Sequence, residues 1–233
     1  VSSVILDRYI RAGIGKNKKS SVVRSGFQLK DYRKCQTLRK KIRELFNIGE
    51  DEISIGMIGR LFPLKGQEYL LRVFAKISDD YPDTHLILVG DGILREDFEK
   101  FVESKNLKNR VHFTGLVKPE DIPAYASAID IGVHTSLREG LPRAVVQILA
   151  AGNPVIAFDI DGATEVIKDG INGFLVPAED ELSLERKLIY LIKNPDKRKK
   201  MGLAGQQIVM EEFSVEKMVA KIEEIYSNIT GDK

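Results

Sequence analysis

The stretch "IDIGVHTSLREGLPRAVVQILAAGNPVIAFD", Ile129 to Asp159, decides the fold. It opens on a short apolar run, "IDIGVHT" (129–135), and closes on another, "NPVIAFD" (153–159). Between them Val145, Ile148 and Leu149 fall on one stripe of a helix. An acid, Glu139, and Pro142 stand before that helix, and one polar residue, Gln147, sits inside it eight positions after Glu139. Strand, helix, strand is the repeating unit of a sheet covered by helices.

The same alternation runs outward in both directions. "ISIGMIG" (53–59), "HLILVG" (85–90), "RVHFTG" (110–115) and "GFLV" (173–176) read as further strands. Leu70, Val73, Phe74 and Ile77 supply an amphipathic helix between the first two, and "PEDIPAYASA" (119–128) a shorter helical segment. Strands apolar on both faces belong to a parallel sheet buried on both sides. The expected fold is therefore a doubly wound, Rossmann-like α/β domain.

Two flanks fall outside this repeat. Residues 1–30 read as a helix around Val4–Ala12 and a short strand "SVVRSG" (21–26). Leu38, Ile42, Leu45 and Phe46 then give helical spacing over Asp31–Phe46, and Leu182–Ile229 reads as helix divided at "NPDK" (194–197). The chain begins at Val1, which reads as a piece excised from a longer protein.

Composition is that of an ordinary globular protein of 233 residues, 43% hydrophobic and 30% charged. No uncharged apolar run is long enough to span a membrane. The first apolar segment is broken by Asp7, Arg8 and Arg11, so it does not read as a signal peptide. The single Cys35 excludes an internal disulfide and fits a reducing, cytoplasmic compartment. The net charge of +2 hides an asymmetry, because residues 1–43 hold 13 Lys/Arg against Asp7 and Asp31. Such a lobe attracts phosphorylated ligands or an anionic membrane, or is simply a solvated face. Aromatics are not interleaved with it, which argues against nucleic acid.

Ligands of an open parallel sheet sit beyond the carboxyl ends of its strands. The loop after the first strand carries Gly59, Arg60, Pro63, Lys65 and Gly66, two cations and two glycines at a helix mouth. That is the make-up of an anion site. It matches neither the P-loop pattern nor a dinucleotide fingerprint. The second loop is "GDG", with Gly90 at its start, and the third is "GLVKPED" (115–121). At the fourth, Pro142 suits a first helical turn, and backbone N–H groups near Gly140 and Leu141 face a bound anion. Glu139 can accept from hydroxyls there, and cations for phosphate with a carboxylate for hydroxyls suit a sugar nucleotide. His85, His112 and His134 lack partners at metal-ligand spacing and read as structural. "DID" (159–161) reads as turn and capping chemistry, so no metal is expected.

With these loops in order the sequence resembles the nucleotide-binding half of GT-B fold glycosyltransferases, the retaining group usually called family 4. The pieces that carry the resemblance are "SVVRSGFQLKDY", "GMIGRLFPLKG", "LILVGDG", "VHFTGLV", the opening stretch, "GATEVIKDGINGFLV" and "IEEIY". It implies that Arg60 and Lys65 hold the donor diphosphate, while Gly59, Gly66 and Gly90 let the backbone close on it. Leu116 and Val117 lie where the family holds the base. Glu139 is implied to be the first acid of the E-x7-E signature, contacting the donor sugar, with Gly140, Leu141 and Pro142 adding the helix mouth. The second acid of that signature, the ribose ligand, falls on Gln147, an uncharged acceptor. "RSGF" departs from the family's Asn-Gly linker.

The resemblance also divides the chain. Residues 1–30 become the tail of an acceptor domain with its linker, 31–212 the donor domain, and 213–233 a helix returning toward the acceptor domain. The implied function is transfer of a hexose from a UDP-sugar or GDP-sugar, without cofactor or metal. The acceptor would be a glycan or polyprenyl-linked molecule at the inner face of the cell membrane. A chain of this length is expected to bind donor but to transfer no sugar alone. The alternatives are a non-catalytic nucleotide-sugar or assembly module with a decayed site, marked by Gln147, and a related GT-B epimerase.

Overall fold

The computed structural model describes residues 2–14, 20–34 and 36–230. Six strands form one sheet, β1 (Ile53–Ile58), β2 (Thr84–Val89), β3 (Val111–Phe113), β4 (Ile131–His134), β5 (Val155–Phe158) and β6 (Gly173–Val176). Their order is β3-β2-β1-β4-β5-β6 and every pairing is parallel. Every residue of β2, β4 and β5 is buried, which is why these strands read as continuous apolar runs. Helices α3 (Gln67–Ile77), α4 (Arg95–Ser104) and α8 (Glu181–Lys193) build one core layer around Leu70, Phe74, Phe98 and Leu184. The opposite layer comes from α5 (Ile122–Ala128), α6 (Arg143–Ala150) and α9 (Pro195–Glu212), with Ala126, Val145, Leu149 and Val209 inside, and α2 (Gln36–Leu45) lies against α5.

This order locates the switch point. The chain runs outward from β1 through β2 to β3, then returns to lay β4 on the other free edge of β1. The helices that follow β1 and β4, α3 and α6, lie on opposite faces of the sheet, and the carboxyl ends of the two strands frame a crevice. Lys65 follows β1 and Glu139 follows β4, so topology alone brings two residues 74 positions apart to one crevice.

The flanks differ from the sequence expectation in three places. "SVVRSG" (21–26) forms no strand; only Phe27 bridges, to Ser214, with its N–H donating to the Phe213 carbonyl at 2.9 Å. Its neighbour is the turn between α9 and α10 (Val215–Thr230), which offers no ladder to pair with. The expected helix over 31–46 is a 3₁₀ turn, Leu29–Lys34, followed by α2. The C-terminal helix breaks a second time at Phe213, which is buried where the chain turns.

The first helix, α1 (Ser3–Arg11), is capped by Ser2, whose hydroxyl accepts from the Ile5 N–H. Neither α1 nor α10 buries a residue. Among the described residues no helix is long and apolar enough to cross a membrane. Lys16, Lys18, Lys19 and Cys35 lie outside the described residues. Other cations of the basic lobe pair with acids of the fold: Arg8 with Asp161, Arg24 with Glu165 and Glu212, Arg39 and Arg43 with Asp130.

Candidate functional site

The loops after β1 and β4 are stapled together. The Leu137 N–H and the Ser136 hydroxyl both donate to the Leu64 carbonyl, at 2.8 and 3.1 Å, and the Thr135 hydroxyl donates to the Gly66 carbonyl at 2.7 Å. Gly66 has a φ of +77°, and a Cβ there would fall 2.0 Å from the Thr135 carbonyl oxygen. Only glycine meets both demands. Leu64 is held at a φ of +69°, a conformation that costs a leucine roughly 1–2 kcal/mol. The two hydrogen bonds to its carbonyl keep it there.

The staple sets the chemistry. Lys65 Nζ lies 2.5 Å from Glu139 Oε1, with the two side chains 26% and 18% exposed. His134 Nε2 lies 3.6 Å from the same oxygen, and among the described residues neither ring nitrogen has a hydrogen-bond partner. Burial pushes the His134 pKa down to about 4, opposed by Glu139 and reinforced by Lys65. The ring is therefore neutral at neutral pH.

The other expected residues divide into those drawn to this pair and those beside it. Pro142 is the cap of α6 rather than part of its first turn, and its carbonyl accepts from Val145 at 3.1 Å. The N–H groups of Arg143 and Ala144 are left without helical partners, as at any helix start. Gly140 and Glu139 border a cleft of about 440 Å³ shared with Arg138 and Asp161. Gln147 is half-buried on α6, and among the described residues its side chain has no hydrogen-bond partner. Leu141 packs against the α6-side core.

Arg60 stands apart from the Lys65–Glu139 contact. Its guanidinium lies over the Phe62 ring at 5.5 Å, and its carbonyl accepts from Gln67 Nε2 at 2.8 Å. No atom lies within 4 Å of a Cβ added at Gly59, so that glycine leaves open space. Gly90, at a φ of +139°, packs under it, since a Cβ would sit 2.2 Å from the Gly59 carbonyl oxygen. Gly90 also bridges Gly115, which sets Leu116, 89% exposed, and half-buried Val117 on the neighbouring loop.

Sequence reasoning missed the cleft's far wall, formed by Ile5, Arg8 and Tyr9 of α1. Arg8 pairs with Asp161 at 2.5 Å, and the Glu165 carboxylate accepts from the Ser3 N–H and hydroxyl and the Val4 N–H. Burial works to raise the Glu165 pKa, but these donors and Arg24 hold it below the usual range. No sequence pattern signals contacts across about 160 residues. At the opposite edge His85 Nδ1 meets His112 Nε2 at 3.0 Å, a pairing that spacing did not disclose. Among the described residues no cluster of His, Cys, Asp and Glu is arranged to hold a metal ion.

Fold and site together define a Rossmann-like domain of the GT-B kind, the C-terminal half of that architecture. The chain belongs to the glycosyl transferases group 1 family, whose model matches residues 39–208. An uncharacterized glycosyltransferase of Methanocaldococcus jannaschii is 31% identical over 196 residues, 82% of this chain and 48% of that protein. A GDP-mannose-dependent phosphatidylinositol monomannoside mannosyltransferase of Mycolicibacterium smegmatis is 27% identical, over 81% of this chain and 51% of its own length. The crystal structure of Anabaena HepE in complex with UDP and glucose superposes with a TM-score of 0.86 at 28% identity, covering 95% of this chain and 60% of HepE. The chain spans about half the length of the curated relatives it matches.

Proposed function

We propose that this chain is the donor-binding domain of a retaining glycosyltransferase of the family 4 type. The whole enzyme, rather than this chain alone, transfers a hexose from a nucleoside-diphosphate sugar to a glycan or lipid-linked acceptor, with UDP-sugar the favoured donor and GDP-sugar the second. The observation that carries this reading is the Lys65–Glu139 pair at the switch-point crevice, beside the mouth of α6. The Anabaena relative, crystallised with UDP and glucose, supports the choice of nucleotide.

In this reading Lys65 and Arg60 hold the diphosphate and stabilise the charge that grows on it as the glycosidic bond breaks. The free N–H groups of α6 add to that field. Glu139 accepts from hydroxyls of the donor sugar. The loop at Leu116 and Val117 receives the base, and Gln147 the ribose. No metal is called on, because cationic side chains and the helix mouth meet the phosphates.

Calorimetric titration of this chain with UDP, GDP, UDP-glucose and GDP-mannose tests the reading. Saturable binding of UDP is expected, weakened when Lys65 is replaced by Met. Absence of binding to every one of these at millimolar concentration removes the donor site.

A further inference from the structure

Beneath the Lys65–Glu139 pair lies a buried polar group with nothing to bind. His134 is 4% exposed, it ends β4, and among the described residues neither ring nitrogen has a hydrogen-bond partner. Its neighbours Thr135 and Ser136 are as buried, yet their hydroxyls bond the Gly66 and Leu64 carbonyls. Buried polar side chains are nearly always bonded, so an orphan beside a functional pair calls for an explanation.

The geometry points to His134 as a positioning residue for Glu139: when Lys65 leaves the carboxylate for the donor diphosphate, the imidazole Nε2–H donates to Glu139 Oε1 in its place. This rests on the donor-site reading of Lys65 and Glu139. Both donors address one oxygen, Lys65 at 2.5 Å and His134 at 3.6 Å. A charged donor takes the oxygen in preference to a neutral one. A shift of less than about 1 Å brings the ring into hydrogen-bond range once the ammonium is gone.

The two donors are mounted differently. Lys65 sits on a flexible four-carbon stem, free to swing toward phosphate. His134 is fixed at a strand end, immediately before two residues stapled to the facing loop. Glu139 left alone beside a diphosphate is repelled by it and free to rotate. A neutral N–H holds the carboxylate toward the sugar hydroxyls without forming a new ion pair. With Lys65 in place burial holds the His134 pKa down to about 4, so the ring that stands ready beside Glu139 is neutral and carries one N–H.

The contact is tested first without any nucleotide. In Lys65→Met the ammonium is absent, and the His134 Nε2–H resonance should move downfield and exchange with solvent about tenfold more slowly. Both changes should vanish when Glu139→Leu is added, since that side chain offers no acceptor. An imidazole resonance unmoved by Lys65→Met overturns the contact.

The functional half is read with UDP and UDP-glucose as probes. His134→Phe should leave UDP affinity unchanged and weaken UDP-glucose about tenfold, and His134→Gln, whose amide also donates, should restore most of it. Equal effects on both probes, or on neither, overturn the positioning role. An unaltered chain that binds neither probe overturns the donor reading, while the Lys65→Met resonance still decides the contact.

Discussion

Two carboxylates flank the same strand and live in opposite circumstances. Asp130, just before β4, accepts from Arg43 at 3.0 Å, from Arg39 at 2.6 Å, and from the Ser54 N–H and hydroxyl at 2.8 and 3.0 Å. Arg43 also donates to the carbonyls of Glu52, at 2.7 Å, and of Gly49. Glu139, just beyond β4, has among the described residues one short side-chain contact, to Lys65, and one distant neighbour, His134. A carboxylate with four donors, two of them arginine guanidinium groups on α2, fastens α2 to the sheet. A pair that leaves lone pairs open and rests on a lysine stem can be rearranged by a ligand. Saturation against vacancy separates structure from function here, more than the presence of an ion pair does.

The comparison breaks most easily by deleting one cation from each pair. Arg43→Met leaves Asp130 short of a partner and empties the Glu52 and Gly49 carbonyls, and about 3–5 kcal/mol of stability should be lost. Lys65→Met, at a quarter-exposed pair, should cost roughly 0–1 kcal/mol. Urea midpoints at constant m-value read both. Equal losses would mean that the Lys65 pair is part of the scaffold.

Acid sharpens it further, because the edge strand β3 and the carboxyl end of the interior strand β4 each hold one histidine with a depressed pKa. Burial brings His112 down to about 4, with His85 adding to the effect, and His134 reaches about 4 as well. Their unfolded values are near 6.5, so as pH falls from 6.5 the unfolded chain takes up protons that the folded chain refuses. Stability is then full above pH 6.5 and falls through the window toward 4. Between pH 6.5 and 5, above the range where Glu52 and Glu165 titrate, each histidine should cost about 2 kcal/mol. His134→Phe should halve the slope of unfolding free energy against pH in that window, and an unchanged slope would show that His134 does not titrate this way.

What the sequence made legible follows the same division. Strands buried on both faces announce themselves as apolar runs, and their alternation with the helices locates the crevice and puts Arg60, Lys65 and Glu139 on loops that face it, while the direct Lys65–Glu139 contact is visible only in the structure. "SVVRSG" misled because Val22 and Val23 have strand propensity, whereas the fold gives them no ladder. The break at Phe213 carries neither proline nor glycine, so nothing local marked it. α4 buries only Phe98 and Val102, too few for a periodic signal. His134 was read as structural for want of a ligand-spaced partner. Its relation to Glu139 exists only because the intervening loop is stapled back on Leu64 and Gly66. Contacts made by folded-back loops, and by α1 with Glu165, depend on tertiary placement that no periodicity encodes.

Gln147 offers the smallest effect. It sits half-buried on α6, and among the described residues its amide has no partner, so Gln147→Glu should shift stability by no more than about 0.5 kcal/mol. A carboxylate accepts from a ribose hydroxyl more strongly than an amide does, by about 1 kcal/mol, which is several-fold to tenfold in the Kd for UDP. Gln147→Ala separates two meanings of that gain. If alanine weakens UDP and glutamate tightens it, the amide already holds the ribose and merely does so with less force. If alanine changes nothing while glutamate tightens, the position has lapsed from binding and the reading as a decayed module gains ground. Identical affinities for all three side chains would remove the ribose from this part of the crevice, leaving the Lys65–Glu139 pair as the anchor of the donor site.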